Sequence, residues 1–263
     1  MKNNNHVKQY YNDFKTKLIS DFFRPNIRIE RAIIKALSKI PIQSKKILDL
    51  GFGLGWSSYE IAKHFTNSTV DAYDISDELT KTAKSLFKLD NLSYLNMDLT
   101  ETFPVGTYDI IILLDVFEHI PKTERDHFYK QIDAVLSETG KIIMTCPTIY
   151  HQEYLRKNNP AGLQPVDEDI ELNVIEEFAK NTNTQIAHFE YLDIWNSRDY
   201  QFIIIEKAYK YHSKQKFAFL EELNLLSFHE KYSLILKSGL RKDLIPTLSR
   251  RQKIIYKIKT LIF

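Results

Sequence analysis

The sequence predicts an α/β chain built on a doubly wound, seven-stranded, mostly parallel sheet with an antiparallel last strand. A helical arm precedes the sheet and a helical extension follows it. Three observations lead there. Residues 47–58, Ile-Leu-Asp-Leu-Gly-Phe-Gly-Leu-Gly-Trp-Ser-Ser, pass from a strand-like stretch through three alternate glycines directly into a helical pattern. Short apolar runs then alternate with amphipathic stripes to about residue 207, as parallel strands and their crossover helices do. The early strands end on acidic residues or glycine, which gathers those groups on one rim of the sheet.

The arm comes first. Val7, Tyr10, Tyr11, Phe14, Leu18 and Ile19 recur at helical spacing over residues 6–20. After Pro25 a second amphipathic helix is expected over 27–40, with Ile29, Ile33, Ile34 and Leu37 on one stripe and Pro41 ending it. An aromatic-rich arm of this kind either packs against the sheet or covers a site from which water is excluded.

The strands and helices of the body follow in order. A strand over 45–50 feeds the glycine loop, and a helix follows over about 56–65. The chain has seven glycines, and three of them stand at 51, 53 and 55, so the loop is where the backbone needs its freedom. A helix starting there aims its free N–H groups and positive dipole end at whatever binds. The second strand, 69–75, ends at Asp74, a little over twenty positions beyond Gly51. That offset is the one at which doubly wound folds set a carboxylate against a ribose hydroxyl pair. Ser76 is the better cap for the next helix, expected over 76–88, which leaves Asp74 free for a ligand.

The third strand, 92–97, runs into Asp98, a second rim carboxylate able to accept from an exocyclic amine. The fourth, Tyr-Asp-Ile-Ile-Ile-Leu-Leu-Asp-Val over 108–116, is the most apolar run and is expected at the sheet centre. It leads into Asp115-Val116-Phe117-Glu118-His119-Ile120-Pro121, and a helix is expected from Pro121 and Lys122 to about Leu136. Gly140 is read as the turn into a fifth strand over 141–146. The polar stretch 148–169 is read as a long loop with a short helical part, at the rim where a substrate would sit. A helix over 169–181 and two strands, 184–195 and 200–207, joined by a turn at 196–199, complete the body.

In combination these residues resemble the class I S-adenosylmethionine-dependent methyltransferases, over about residues 45–207. The Asp49-Leu-Gly51-Phe52-Gly53-Leu-Gly55 run is similar to the acidic glycine-loop motif of that family. The resemblance implies a Rossmann-like fold, S-adenosylmethionine as cofactor and S-adenosylhomocysteine as product. It implies Asp74 as ribose ligand with Ile75 against the adenine, Asp98 and Leu99 at the adenine edge, and Asp115 and Val116 at the strand-four end. Asp115 to Pro121 is similar to the ubiquinone-biosynthesis-like branch, where Glu-His-Ile is common. Relatives usually have two glycines before the fifth strand, whereas here Thr139 takes the first place.

For a hydroxyl acceptor, a histidine titrating near its usual value of about 6.5 is a suitable general base. His119 is the first candidate and His151 the second. Asp115, Glu118 and His119 are also weighed as ligands of a divalent metal that would acidify the acceptor; the metal itself stays unknown. Two readings from other classes compete. One is a nicotinamide-dependent oxidoreductase, although its third glycine usually falls one position later, where this chain has Trp56. The other is a catalytically silent methyltransferase-like protein that acts as a binding partner.

Composition bounds the rest. One cysteine, Cys146, rules out an internal disulfide framework and a cysteine-rich zinc site. The start is polar and no apolar run reaches membrane-span length, so the chain is read as cytoplasmic. The formal charge of +2 is unevenly spread: from Lys210 onward there are twelve Lys or Arg and four Asp or Glu. The remainder is net acidic, which argues against nucleic acid as a partner. Residues 249–263 set Ile254, Ile255, Ile258, Leu261 and Ile262 against five basic residues and no acid. That helix is read either as packing on this chain or a second subunit, or as a peripheral contact with an anionic inner membrane face. The division expected is an arm, 1–44, a cofactor domain, 45–209, and a basic extension, 210–263, acting on a small-molecule acceptor.

Overall fold

The computed structural model describes residues 2–24, 26–207, 225–240, 247 and 249–251. Residues 217–228, whose sequence also reads as helical, fall mostly outside these residues, as does the basic amphipathic stretch after Arg251. Seven strands form one sheet in the order β3-β2-β1-β4-β5-β7-β6. They are β1 (Lys46–Leu50), β2 (Thr69–Asp74), β3 (Leu92–Asn96), β4 (Tyr108–Leu114), β5 (Leu136–Pro147), β6 (Gln185–Leu192) and β7 (Tyr200–Glu206). The first five run parallel, and β7 is antiparallel to both of its neighbours, as the sequence predicts.

Strand β4 lies between β1 and β5, and its Ile110, Ile111, Ile112 and Leu113 are fully buried. A run apolar at every position belongs there because helices cover both faces of the sheet. Helices α4 (Trp56–His64) and α5 (Asp77–Leu86) enclose one core with residues of β1 and β2. Helices α6 (Arg125–Val135) and α8 (Leu172–Asn181) enclose the other, through Phe128, Ile132 and Phe178.

The arm belongs to the first of these cores. After α1 (Lys2–Asp13), α2 (Lys15–Phe23) contributes Ile19, Phe22 and Phe23 to it, and α3 (Ile27–Lys39) contributes Ile33 and Leu37. The break between α1 and α2 is a kink at Phe14: the Phe14 and Leu18 amides still donate to carbonyls four residues back. Asn12 fastens α1 to the body by accepting from the Ser76 hydroxyl at 2.6 Å, and Lys8 pairs with Asp77 and Lys15 with Glu78.

Two expectations are corrected. Gly140 does not turn the chain into β5: the strand already begins at Leu136. Its register against β4 slips between Tyr108↔Leu136 and Ile110↔Lys141, so the residues before Lys141 bulge. Gly140 is needed there because a Cβ would meet the Leu136 side chain at 2.5 Å. The polar stretch after Pro147 is mainly a helix, α7 (Ile149–Asn158), capped by Thr148, and only its second half is loop.

A last helix, α9 (Phe228–Lys237), begins at a capping box in which Ser227 and Glu230 satisfy each other's backbone amides. It packs on the back of the glycine-loop helix. The buried Glu60 carboxylate accepts from the Trp56 indole at 2.9 Å and from the Leu226 amide at 2.8 Å. The Lys231 ammonium stands 3.8 Å from the Trp56 ring centroid and 3.3 Å from Glu30. Replacing Lys231 with Met keeps the apolar stem but removes the charge from both partners. We expect Lys231→Met to lower stability by about 2 kcal/mol, read as a lower urea midpoint with an unchanged slope. Among the described residues, no helix is long and apolar enough to cross a membrane.

Candidate active site

A cavity opens at the carboxyl ends of β1, β2 and β4, between the sheet rim and the arm. Its rim wall is built by the glycine loop. Gly51, Gly53 and Gly55 all have positive φ, at 69°, 60° and 92°. A Cβ on Gly51 would lie 2.6 Å from Val116, and one on Gly55 would lie 2.7 Å from Tyr94. At Gly53 a Cβ would meet only Leu18, at an ordinary contact distance of 3.6 Å, and the residue borders the cavity. The loop therefore needs glycine twice for packing and once where the backbone borders the cavity.

Two carboxylates hold the loop. Asp49 accepts from the hydroxyls of Ser57 and Ser58, at 2.9 and 2.6 Å, which fixes the start of α4. Asp74 accepts from the amides of Gly53 and Ser76, at 2.9 and 2.8 Å. Burial pushes each carboxyl up to about 6, against the hydrogen bonds that hold it down. Ile75 and Leu99 supply apolar wall on either side of Asp74 and Asp98, and Phe52 packs edge-on against Tyr94. The Asp98 carboxylate accepts from the amide and hydroxyl of Thr100. Of the rim residues named in the sequence, all but Gly55 border one cavity, and Gly55 stands behind it against Tyr94.

The strand-four end is strained. Asp115 has φ of 56°, a left-handed conformation uncommon for any residue with a Cβ and best tolerated by Asn and Asp. Its carboxylate accepts from Thr145 at 2.8 Å and is paired with Arg28 of α3. One residue later a 3-10 turn, Phe117–His119, carries His119 to the cavity edge. Its Nδ1 lies 2.6 Å from the Val166 carbonyl and 3.2 Å from the Asp167 carboxylate. The second nitrogen, Nε2, is 3.8 Å from Glu118. Burial alone would lower the imidazole pKa, but Glu118, Asp167 and the Val166 carbonyl outweigh it and raise the value. Glu118 itself is buried and pushed up to about 7 by desolvation.

His151 is elsewhere. It does not border the cavity and stacks between Trp195 and Tyr200, with burial lowering its pKa. The proposed metal ligands do not converge either. Among the described residues no group of three or more His, Cys, Asp or Glu side chains is arranged to hold a metal ion. Asp115 is taken by Arg28, and His119 Nδ1 by Val166.

The arm supplies the opposite wall through Tyr11, Phe14, Leu18, Phe22, Arg28, Ile29 and Ile33. Tyr11 also donates to Gln164 at 2.8 Å, joining the arm to the loop after α7. Arg28, Tyr11, Gln164 and Asp167 are missed by sequence reasoning. Arg28 reads as the polar neighbour of an apolar stripe, and Asp167 meets His119 only through the fold.

Residues 47–140 match a family described as a methyltransferase domain. A malonyl-[acyl-carrier protein] O-methyltransferase of Halalkalibacterium halodurans is 32% identical over 85 residues, 30% of this chain and 31% of the relative. A ubiquinone biosynthesis O-methyltransferase of Coxiella burnetii is 28% identical over 120 residues, 44% of this chain and 50% of the relative. The chain thus spans about a third to a half of the length of these curated relatives. The magnesium protoporphyrin IX methyltransferase of Synechocystis, solved with bound S-adenosylhomocysteine, superimposes with a TM-score of 0.62 at 16% identity. It covers 78% of this chain and 99% of its own, a likeness of fold. With the glycine loop and the strand order already in hand, the match marks residues 47–140 as similar to a methyltransferase domain, and the superposition gives the sheet and its helices the fold of a methyltransferase.

Proposed function

We propose that the chain methylates an oxygen of a small-molecule acceptor, with the cofactor on the rim side of the cavity and the acceptor on the arm side. The observation that carries this is Gly53: it borders the cavity beside a carboxylate, Asp74, whose backbone partners leave further lone pairs for ribose hydroxyls. Ile75 and Leu99 would clasp the adenine, Asp98 would accept from its amine, and Gly51, Phe52, Asp115 and Val116 would complete the wall, with Gly55 packed behind them. Asp49 acts one step back, by fixing α4 through Ser57 and Ser58. When bound, S-adenosylmethionine supplies an electrophilic methyl group and leaves as S-adenosylhomocysteine.

The protein's own part is alignment, exclusion of water and proton removal. His119 donates from Nδ1 to Val166 and Asp167, which fixes the tautomer and leaves Nε2 to take the acceptor hydroxyl proton. The curated relatives are named as O-methyltransferases, in keeping with an oxygen acceptor. Residues 1–44 then serve as the acceptor-side wall, 45–209 as the cofactor domain and 210–263 as a basic extension.

Calorimetric titration of the chain with S-adenosylhomocysteine, and with NAD as control, tests the reading. Micromolar binding of the first and none of the second is expected. A folded chain that ignores S-adenosylhomocysteine would remove the enzyme assignment and bring the binding-partner reading forward.

A further inference from the structure

We propose that Arg28 recognises a carboxylate on the acceptor, so that the site takes monocarboxylates with an apolar body. This rests on the reading of the cavity as a methyl-transfer site. The cavity holds four aspartates, at 49, 74, 98 and 115, and among the described residues Arg28 is the one Lys or Arg that borders it. The other group there able to carry positive charge is His119. An anion entering without Arg28 would meet only repulsion from those acids.

The placing of Arg28 suits a ligand as well as a structural pair. It projects from α3, part of the arm wall, toward the strand-four end where the acceptor and cofactor sides meet. Its guanidinium lies over the Tyr200 ring, 5.8 Å from the centroid, which holds the planar group in one orientation. Asp115 occupies part of the donor fork, and a guanidinium with five N–H donors can serve a second carboxylate on another edge. The side chain keeps 21% of its surface accessible and lines the cavity.

Charge balance selects the class of anion. Shared between Asp115 and one carboxylate, the guanidinium leaves a single negative charge in excess, whereas the dianion of a phosphate monoester would leave two and is disfavoured the more. Around Arg28 the arm wall is apolar, with Phe14, Leu18, Phe22, Ile29 and Ile33, and it fits a hydrocarbon or aromatic body behind the carboxylate.

The test is calorimetry on the full chain saturated with S-adenosylhomocysteine, using butyrate, octanoate and dodecanoate, their amides, and octyl phosphate. At least one carboxylate should bind about tenfold or more tightly than its amide, as a charge-assisted pair predicts, and more tightly than octyl phosphate. Arg28→Gln should abolish the preference while S-adenosylhomocysteine still binds, which shows that the variant is folded. Arg28→Lys, with the charge but without the fork, should keep only part of it. Equal binding of amide and carboxylate, preference for octyl phosphate, or a preference that survives in Arg28→Gln would overturn the proposal. If the wild type ignores S-adenosylhomocysteine, the methyl-transfer reading fails separately. The carboxylate titration is then made on the free chain, where the same preference, lost in Arg28→Gln, upholds the role of Arg28 and its absence rejects it.

Discussion

Asp74→Ala is expected to weaken S-adenosylhomocysteine binding by about a hundredfold or more. The substitution removes the proposed acceptors for the ribose hydroxyls. It also releases the Gly53 and Ser76 amides, which hold the glycine loop and the start of α5 around the carboxylate. Each charge-assisted hydrogen bond contributes roughly 1.5–3 kcal/mol, so the loss of two already reaches that range. Asp74→Asn, which keeps one acceptor oxygen, should fall between. The pH dependence has a definite sign. Burial raises the Asp74 carboxyl to about 6, and its protonated form accepts fewer hydrogen bonds. Affinity should therefore be full above pH 7 and decline as pH falls through about 6. Calorimetry across that range checks it; flat affinity, or wild-type affinity in Asp74→Ala, would sink the ribose assignment.

His119→Ala should lower turnover by about 10²–10⁴-fold, the usual contribution of a general base, with cofactor affinity little changed. The base works in its neutral form, and Glu118, Asp167 and the Val166 carbonyl raise its pKa. Activity should accordingly rise with pH, with a midpoint above the usual histidine value of about 6.5. Asp167→Asn removes one of the charges that favour the imidazolium, so the same limb should move to lower pH. A pH–rate profile on the three proteins separates this role from a structural one: a histidine that only packs would leave the limb unmoved.

Much of the fold was legible because the signals are local and redundant. The run from Ile110 to Leu114 is apolar at every position, as befits a strand covered on both faces. The glycine loop declares itself by spacing, and Asp74 by its offset from it. The rim residues were legible for the same reason: they sit at strand ends, and strand ends follow from the pattern. Residues that reach the site from a distance were not. Arg28 comes from a helix before the sheet, and Asp167 finds His119 across the loop after α7.

Other misses are of a different kind. The capping box at Ser227 and Glu230 was in plain sight, yet the start of α9 went unread. Residues 148–169 were read by polarity as mostly loop; α7 leaves most of its length to solvent, with Gln152 its one buried residue. Gly140 was taken for a turn because glycine usually marks one, whereas here it relieves a contact with Leu136 inside a bulged strand.

The strand order carries a consequence for the nascent chain. Strand β1 is paired on one side with β2, which follows shortly, and on the other with β4, where Ile47 meets Ile110. At a synthesis rate of roughly 5–20 residues per second, the second edge of β1 waits several seconds for its partner after leaving the ribosome. During that interval Ile47, Leu48 and Leu50 stand on an open edge of the kind that recruits foreign strands. Asp49 lies among them, and a charge at the middle of the edge disfavours pairing with an apolar stranger. The carboxylate that later anchors α4 thus protects the chain before the sheet is closed.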